Sequence, residues 1–335
     1  MEKQRDNFLD FCKGYAIFLV ILGHVIQFIS GNLQDQIFNF IYLFHIPFFF
    51  MLSGYLADKT IHLNNLFLLK KIRSLLLPFF SAGLTYALSF DKIPQLLHNP
   101  FHAGYWFLLS LFSIWLIFFC VYFIIRYLKI KNIIIEIILL FIPFFTYHFF
   151  EAYLPISLIQ TLSLGFTFAF YRFFILGYIL GKYKYIQDFI FTKFVSCISI
   201  ILLFTIFILS TNGNITTNIP PTITQTILCI STLAWLKTIY PNPKNKARIL
   251  LEKWGKYSLN IYIFHYFLIH CFILTEIQNF SPGIQTIINI GISILIINIT
   301  LILQKPFEIN PYLSFFFLGK KDHANTNNIN NNSSI

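Results

Sequence analysis

The sequence predicts an all-α fold: a polytopic transmembrane helix bundle with about ten spans and both termini cytoplasmic. Three observations carry this. Of 335 residues, 57% are hydrophobic and only 11% charged, with 43 Phe, far from the balance of a soluble domain. Apolar windows of about 20 residues recur from end to end, each long enough to cross a bilayer core of roughly 30 Å as a helix. The basic residues, finally, fall in alternate short connections between those windows, and so on one side.

Windows bounded by charges, Pro and Asn place the spans near 8–29, 36–57, 74–90, 105–125, 132–150, 158–181, 189–210, 221–240, 257–276 and 284–304. The third is short, and the sixth is long enough to include an interfacial segment. With the N-terminus inside, the cytoplasmic connections receive Lys59, Lys70, Lys71 and Arg73, then Arg126, Lys129 and Lys131, then Lys182, Lys184 and Lys193. Lys244, Lys246, Arg248, Lys253 and Lys256 follow, and Lys305, Lys320 and Lys321 close the series. The outer side receives Lys92 beside Asp35, Asp91, Glu151 and Glu276. The formal net charge of +11 is thus a topology signal rather than a nucleic-acid footprint.

The start MEKQRDNFLDFCKG has acidic Asp6 and Asp10 and no A-x-A site, so the first helix is expected to be retained rather than cleaved. The five cysteines are scattered through apolar spans without CxxC spacing, which suggests neither a disulfide framework nor a thiolate metal site. Residues 1–318 read as one membrane-embedded domain. Residues 319–335, ending NTNNINNNSSI, read as a disordered polar cytoplasmic tail.

Polar residues inside the spans are the candidates for function. Lys13 and His24, eleven residues apart, share one helix face about 16 Å apart along the axis, and Asp10 joins that stripe. The stripe runs from the cytoplasmic boundary to a deep imidazole; alternatively, Lys13 snorkels and His24 bonds a neighbouring helix. The second span holds FHIPFFFMLSGYL, where Pro47 predicts a kink beside His45, with Ser53 and Gly54 following. These residues line a cavity or simply shape packing. Lys70, Lys71 and Arg73 read either as topology determinants or as a grip on the phosphates of a polyanion. Arg172 lies deeper in its span than topology requires, and Ser258, Tyr262 and His265 follow each other at i, i+4 and i+7 on one face. His98 and His102 have i, i+4 spacing, but the intervening Asn99 and Pro100 argue against a helix and hence against a metal site.

The series RDNFLDFCKGYAIFLVILGH, FHIPFFFMLSGYL, KKIRSLLLPFF, YWFLLSL, FILGYILG and GKYSLNIYIFH, in that order, resembles the acyltransferase-3 family of membrane proteins. The sugar-modifying branch that resembles fucose O-acetylases is nearest. The resemblance implies a bundle of about ten helices in a bacterial cytoplasmic (inner) membrane. It implies acyl transfer from acyl-CoA, commonly acetyl-CoA, to a hydroxyl of a surface glycan such as lipopolysaccharide or capsule, or of its lipid-linked precursor. The family's basic-x10-His motif falls on Lys13 and His24, and its basic-x-basic element falls on Lys71 and Arg73. This chain has Lys at 13 and 71 where many relatives have Arg, which removes a bidentate fork at each. The SGNH hydrolase domain fused to some relatives is not expected.

Acyl transfer needs a base for the hydroxyl proton and a positive or hydrogen-bonding partner for the developing oxyanion. His24 is the candidate base, or alternatively an acyl-carrying nucleophile, with Asp10 and Lys13 organising the cytoplasmic mouth. Lys71 and Arg73, with Lys70, are the candidates for holding acetyl-CoA. His45, Ser53, Arg172, Ser258, Tyr262 and His265 are candidates for the acceptor side or for lining a cavity. Membrane lipids are the remaining expected partner, with no metal and no nucleic acid. The rival reading is a transporter or flippase, which buried polar residues and Pro-interrupted helices would also suit; a third is an assembly subunit whose polar face is a packing seam.

Overall fold

A computed structural model describes residues 6–63, 65–211, 220–240 and 245–320, all in helices and the connections between them, with no strand among them. Among the described residues, seven helices are long and apolar enough to span a membrane. They are α1 (Asn7–Ser30), α2 (Gln36–Tyr55), α3 (Leu66–Ser89), α4 (Trp106–Tyr127), α5 (Ile133–Tyr153), α6 (Leu164–Lys182) and α12 (Pro282–Ile309). Between the last two come α7 (Lys184–Ile190) and α8 (Lys193–Thr211), a pair bent by 61° that counts as an eighth. Next are α9 (Pro221–Ile239), α10 (Lys246–Lys256) and α11 (Ser258–Ile269), and α13 (Pro311–Leu318) follows α12. The protein is a multi-pass, all-α membrane protein. Large apolar side chains such as Phe149, Ile287 and Ile201 are exposed on helix surfaces, where only lipid covers them at low cost.

Several helices start where an Asp or Asn side chain accepts from free backbone N–H groups: Asp6 at α1, Asp35 at α2, Asn132 at α5, Asn245 at α10 and Asn310 at α13. Each such cap is worth about 1 kcal/mol. Three elements depart from the sequence reading. The third span begins at Leu66 rather than residue 74, because Lys70, Lys71 and Arg73 lie within the helix instead of ending it. The sixth breaks at Ser163, whose φ of 47° separates α6 from a short helix at Ile156–Thr161. The ninth, α11, stops at Ile269 because the chain then turns to bond the end of α1: the Leu274 N–H donates to the Ile29 carbonyl at 2.9 Å. Helix α2 continues through Pro47. The tail from residue 321, and Lys244 and Lys321 with it, lie outside the described residues.

The helices form two compact units. The first comprises residues 1–59 and 173–301, and the second 60–172 and 302–335. In the first, α1 packs against α10, α2 and α11, while α9 packs against α8 and α2. Two glycine seams set these distances. A Cβ on Gly14 would collide with the Leu251 carbonyl of α10, and one on Gly255 with the Asp10 carbonyl of α1. Likewise Gly54 faces the Phe174 carbonyl, while Gly177 and Gly181, a GxxxG pair, face the carbonyls of Met51 and Tyr55. In the second unit α3 packs against α4 and α13, and α4 against α5. Gly319, at φ 61°, closes α13 and brings its carbonyl to the Arg73 Nε, which donates to it at 3.1 Å.

The Gly177 seam predicts a sharp asymmetry. Gly177→Leu should lower the unfolding temperature of the detergent-solubilised protein, at an overpacking cost of at least about 1–3 kcal/mol. Gly291→Ala, whose Cβ meets nothing within 4 Å, should leave it unchanged.

Candidate functional site

The first unit gathers histidines and tyrosines from three helices around His24. His24 is the last α-helical residue before a wider π-helical stretch, Val25–Ser30, which ends at Gly31 with φ 70°. Such insertions recur at functional sites because they re-aim side chains. The imidazole is half-buried. Its Nδ1 lies 3.3 Å from the Tyr42 hydroxyl of α2, and its Nε2 lies 3.2 Å from the Tyr266 hydroxyl of α11. The Tyr42 hydroxyl in turn donates to the Gln27 Oε1 of α1. The His265 ring stacks on His24 with centroids 5.4 Å apart and planes 19° from parallel.

Around this centre the sequence candidates divide. His45 and His265 are buried, and each spends its Nδ1–H on its own helix: His45 donates to the Ile41 carbonyl at 2.7 Å, and His265 to the Tyr262 carbonyl at 2.6 Å. Tyr262 lies with its ring 5.5 Å from that of His265. Ser53 back-bonds to the Phe49 carbonyl at 3.0 Å, a local helix contact, and Ser258 opens α11, half-buried. Asp10 is buried and Lys13 half-buried on the first turns of α1, where α10 crosses at the glycine seam.

Lys70, Lys71, Arg73 and Arg172 belong to the second unit. Lys70 is exposed. The Lys71 ammonium sits 3.4 Å from the centroid of the Trp115 ring, a cation–π contact, and Arg73 holds the end of α13 through Gly319. Arg172 is half-buried within α6. His98 ends a short helix, whereas His102 lies beyond it and donates from Nδ1 to the Leu96 carbonyl at 2.6 Å, so the two are not on one helical face. Among the described residues no group of three or more His, Cys, Asp or Glu side chains is placed to hold a metal ion.

A polar stripe ending in a deep histidine on the first helix and a Pro-containing second helix thus lie in one unit, and a basic third helix lies in the other. The family model described as an acyltransferase domain matches residues 6–303. The chain belongs to the acyltransferase-3 family. Two curated relatives are similar over shorter stretches. Both carry the name nodulation protein NolL: one from Sinorhizobium fredii is 45% identical over 62 residues, and one from Mesorhizobium japonicum is 42% identical over 62 residues. Each match covers 17% of this chain and 17% of the relative, so the chain spans about a sixth of the length of the curated relatives it matches. No solved structure matches.

Within this acyltransferase-3 member, sequence reasoning missed Gln27, Tyr42, Tyr266 and His270, the last with its ring 6.1 Å from that of Tyr266 and 5.3 Å from that of Phe28. Gln27 stands three residues after His24, Tyr42 three before His45, and Tyr262, Tyr266 and His270 repeat every four residues. Helical spacing from the histidines already chosen would have found them. The first unit also holds a cavity of about 440 Å³ near the start of α1, lined by Asp6, Asp188, Lys59 and Lys237 with Phe8, Tyr55, Gln187 and Phe191. Its two lysines face two carboxylates, and Lys59 lies 3.8 Å from Asp6, so the cavity offers a polyanion little net attraction.

The connection holding His102 carries a pH prediction. Burial lowers the His102 pKa against the opposing pull of the Leu96 carbonyl, and its Nε2 is buried with no hydrogen-bond partner. The unfolded chain therefore takes up this proton first. The contribution of the neutral ring to stability is complete above the ordinary histidine value of about 6.5 and is lost as pH falls below it. Lowering pH from 7.5 to 5 should reduce the unfolding temperature of the purified protein more than that of His102→Gln.

Proposed function

We propose that this protein is a membrane-bound O-acyltransferase that moves an acetyl group from acetyl-CoA to a hydroxyl of a surface polysaccharide or its lipid-linked precursor. The supporting observation is the placement of His24. A half-buried imidazole is held edge-on between two phenols within the membrane-spanning part of a chain that belongs to an acyltransferase family. The bacterial origin of both relatives supports a cytoplasmic-membrane location.

In this reading His24 is the general base. Its bare ring nitrogen takes the proton of the acceptor hydroxyl as that oxygen attacks the thioester carbonyl. The tetrahedral intermediate then collapses with cleavage of the C–S bond, and the imidazolium returns the proton to the CoA thiolate. The products are an acetyl ester and CoA. Asp10 and Lys13 order the cytoplasmic mouth of α1. In the second unit, Lys70, Lys71 and Arg73 bind the donor's phosphates, Arg73 having spent one of five guanidinium donors on Gly319.

The test is transfer of labelled acetyl from acetyl-CoA to surface glycan isolated from cells lacking this chain, using purified protein in detergent. His24→Ala should lower transfer by about 10²-fold or more. Full transfer by a folded His24→Ala protein, or none by the wild type, overturns the reading. Lys70→Ala removes an exposed charge with no packing role, and should raise the KM for acetyl-CoA several-fold at low salt while sparing kcat.

A further inference from the structure

The geometry around His24 points to a positioning device: we propose that Gln27 and Tyr42 fix the imidazole in the tautomer that carries hydrogen on Nδ1 and leaves Nε2 bare. This rests on the reading of His24 as base and names the atom that acts. The reasoning counts protons. A phenol has one hydrogen to give, and the Tyr42 hydroxyl has two neighbours: Gln27 Oε1, which can only accept, and His24 Nδ1 at 3.3 Å. The shorter contact to Gln27 takes the phenol hydrogen. Tyr42 therefore meets His24 with an oxygen lone pair, and Nδ1 must be the donor. A neutral imidazole has one N–H, so Nε2 keeps its lone pair and receives the hydrogen of the Tyr266 hydroxyl at 3.2 Å.

The surrounding sequence lets Tyr42 reach this place. A Cβ on Gly23, the residue before His24, would lie 2.8 Å from the Tyr42 ring edge, so only glycine there admits the phenol against α1. Phe38 supports the ring from its own helix, with centroids 4.0 Å apart. The π-helical stretch holds Gln27 where its amide meets the hydroxyl. An acceptor hydroxyl then replaces Tyr266 on the single lone pair that the tautomer exposes, and the proton moves from that hydroxyl to Nε2.

The device predicts an order of effects that structural damage does not produce. In Tyr42→Phe the Nδ1–H loses its acceptor and both tautomers are populated, so kcat should fall about tenfold with the KM for acetyl-CoA within twofold. In Gln27→Leu the freed Tyr42 hydrogen turns to Nδ1 and drives the ring hydrogen onto Nε2, so kcat should fall further than in Tyr42→Phe. The double variant, lacking the misdirected hydrogen, should recover to the Tyr42→Phe level. A double variant as poor as Gln27→Leu, or worse, overturns the proposal.

Nitrogen-15 NMR of histidine-labelled protein in liposomes reads the tautomer without an assay, with the His24 signals identified by their loss in His24→Ala. The expected wild-type spectrum has a protonated Nδ1 and a bare Nε2, reversed in Gln27→Leu. A protonated Nε2 in the wild type overturns the proposal whatever the activity. The expected tautomer in a protein whose His24→Ala variant retains full activity would instead remove only the assignment of His24 as base.

Discussion

Backbone touches backbone where α1 crosses α10, at Gly14 and Gly255, and the placement of His24 depends on that contact. No side chain separates the helices there, so their relative position is set by carbonyls and Cα atoms rather than by rotamers. Helix α10 is the amphipathic one. It carries Lys246, Arg248, Lys253 and Lys256, with Arg248 paired to Glu252 at 2.7 Å and lying over the Tyr240 ring. Such a helix belongs at the membrane surface. By gripping α1 at Gly14, it holds Asp10 and Lys13 at that level and His24 about 15 Å deeper, ten residues along the helix at 1.5 Å each.

The far end of α1 is tied as firmly, by polar groups. Ser30 donates to Asn289 of α12, the Gln278 amide donates to the Ser30 carbonyl, and the Leu274 N–H donates to the Ile29 carbonyl. In an apolar surrounding these groups have no water to turn to, so each broken contact strands a partner. A helix anchored at both ends can absorb an extra residue per turn only between the anchors. The π-helical stretch at Val25–Ser30 occupies that interval, and it is where the chain re-aims Gln27 toward Tyr42.

Much of this was legible in the sequence, for reasons that also explain what was not. Hydropathy located the helices because lipid imposes a length and forbids open backbone, and His24, Lys13 and Asp10 fell on one stripe because helical spacing is fixed. The start of α3 was misplaced because Lys70, Lys71 and Arg73 were weighed as charges. Lys71 instead lays its ammonium on Trp115, and Arg73 reaches a carbonyl on α13, neither of which hydropathy counts. The end of α11 was misplaced because Leu274 bonds to Ile29, a contact 245 residues away in the chain. Tyr42 and Tyr266 escaped notice because tyrosine is common here, 18 residues in all, and only the fold distinguishes the two that meet an imidazole.

Hydrogen bonds separate three of the imidazoles in this cluster, His24, His45 and His265, by role. His45 and His265 are oriented by carbonyls of their own helices, Ile41 and Tyr262, which cannot move without breaking the helix. His265 is fully buried, and its Nε2 has no hydrogen-bond partner. Fully enclosed and stacked on the His24 ring, it offers no open surface to a hydroxyl. His24 is held instead by side chains from two other helices and keeps part of its surface open. Side-chain hydroxyls rotate, so the partner on Nε2 can be exchanged for a substrate hydroxyl while the rest of the fold stays in place. Of the three rings, His24 alone combines a defined orientation with an exchangeable partner, and a base that must take a proton and then give it back needs both.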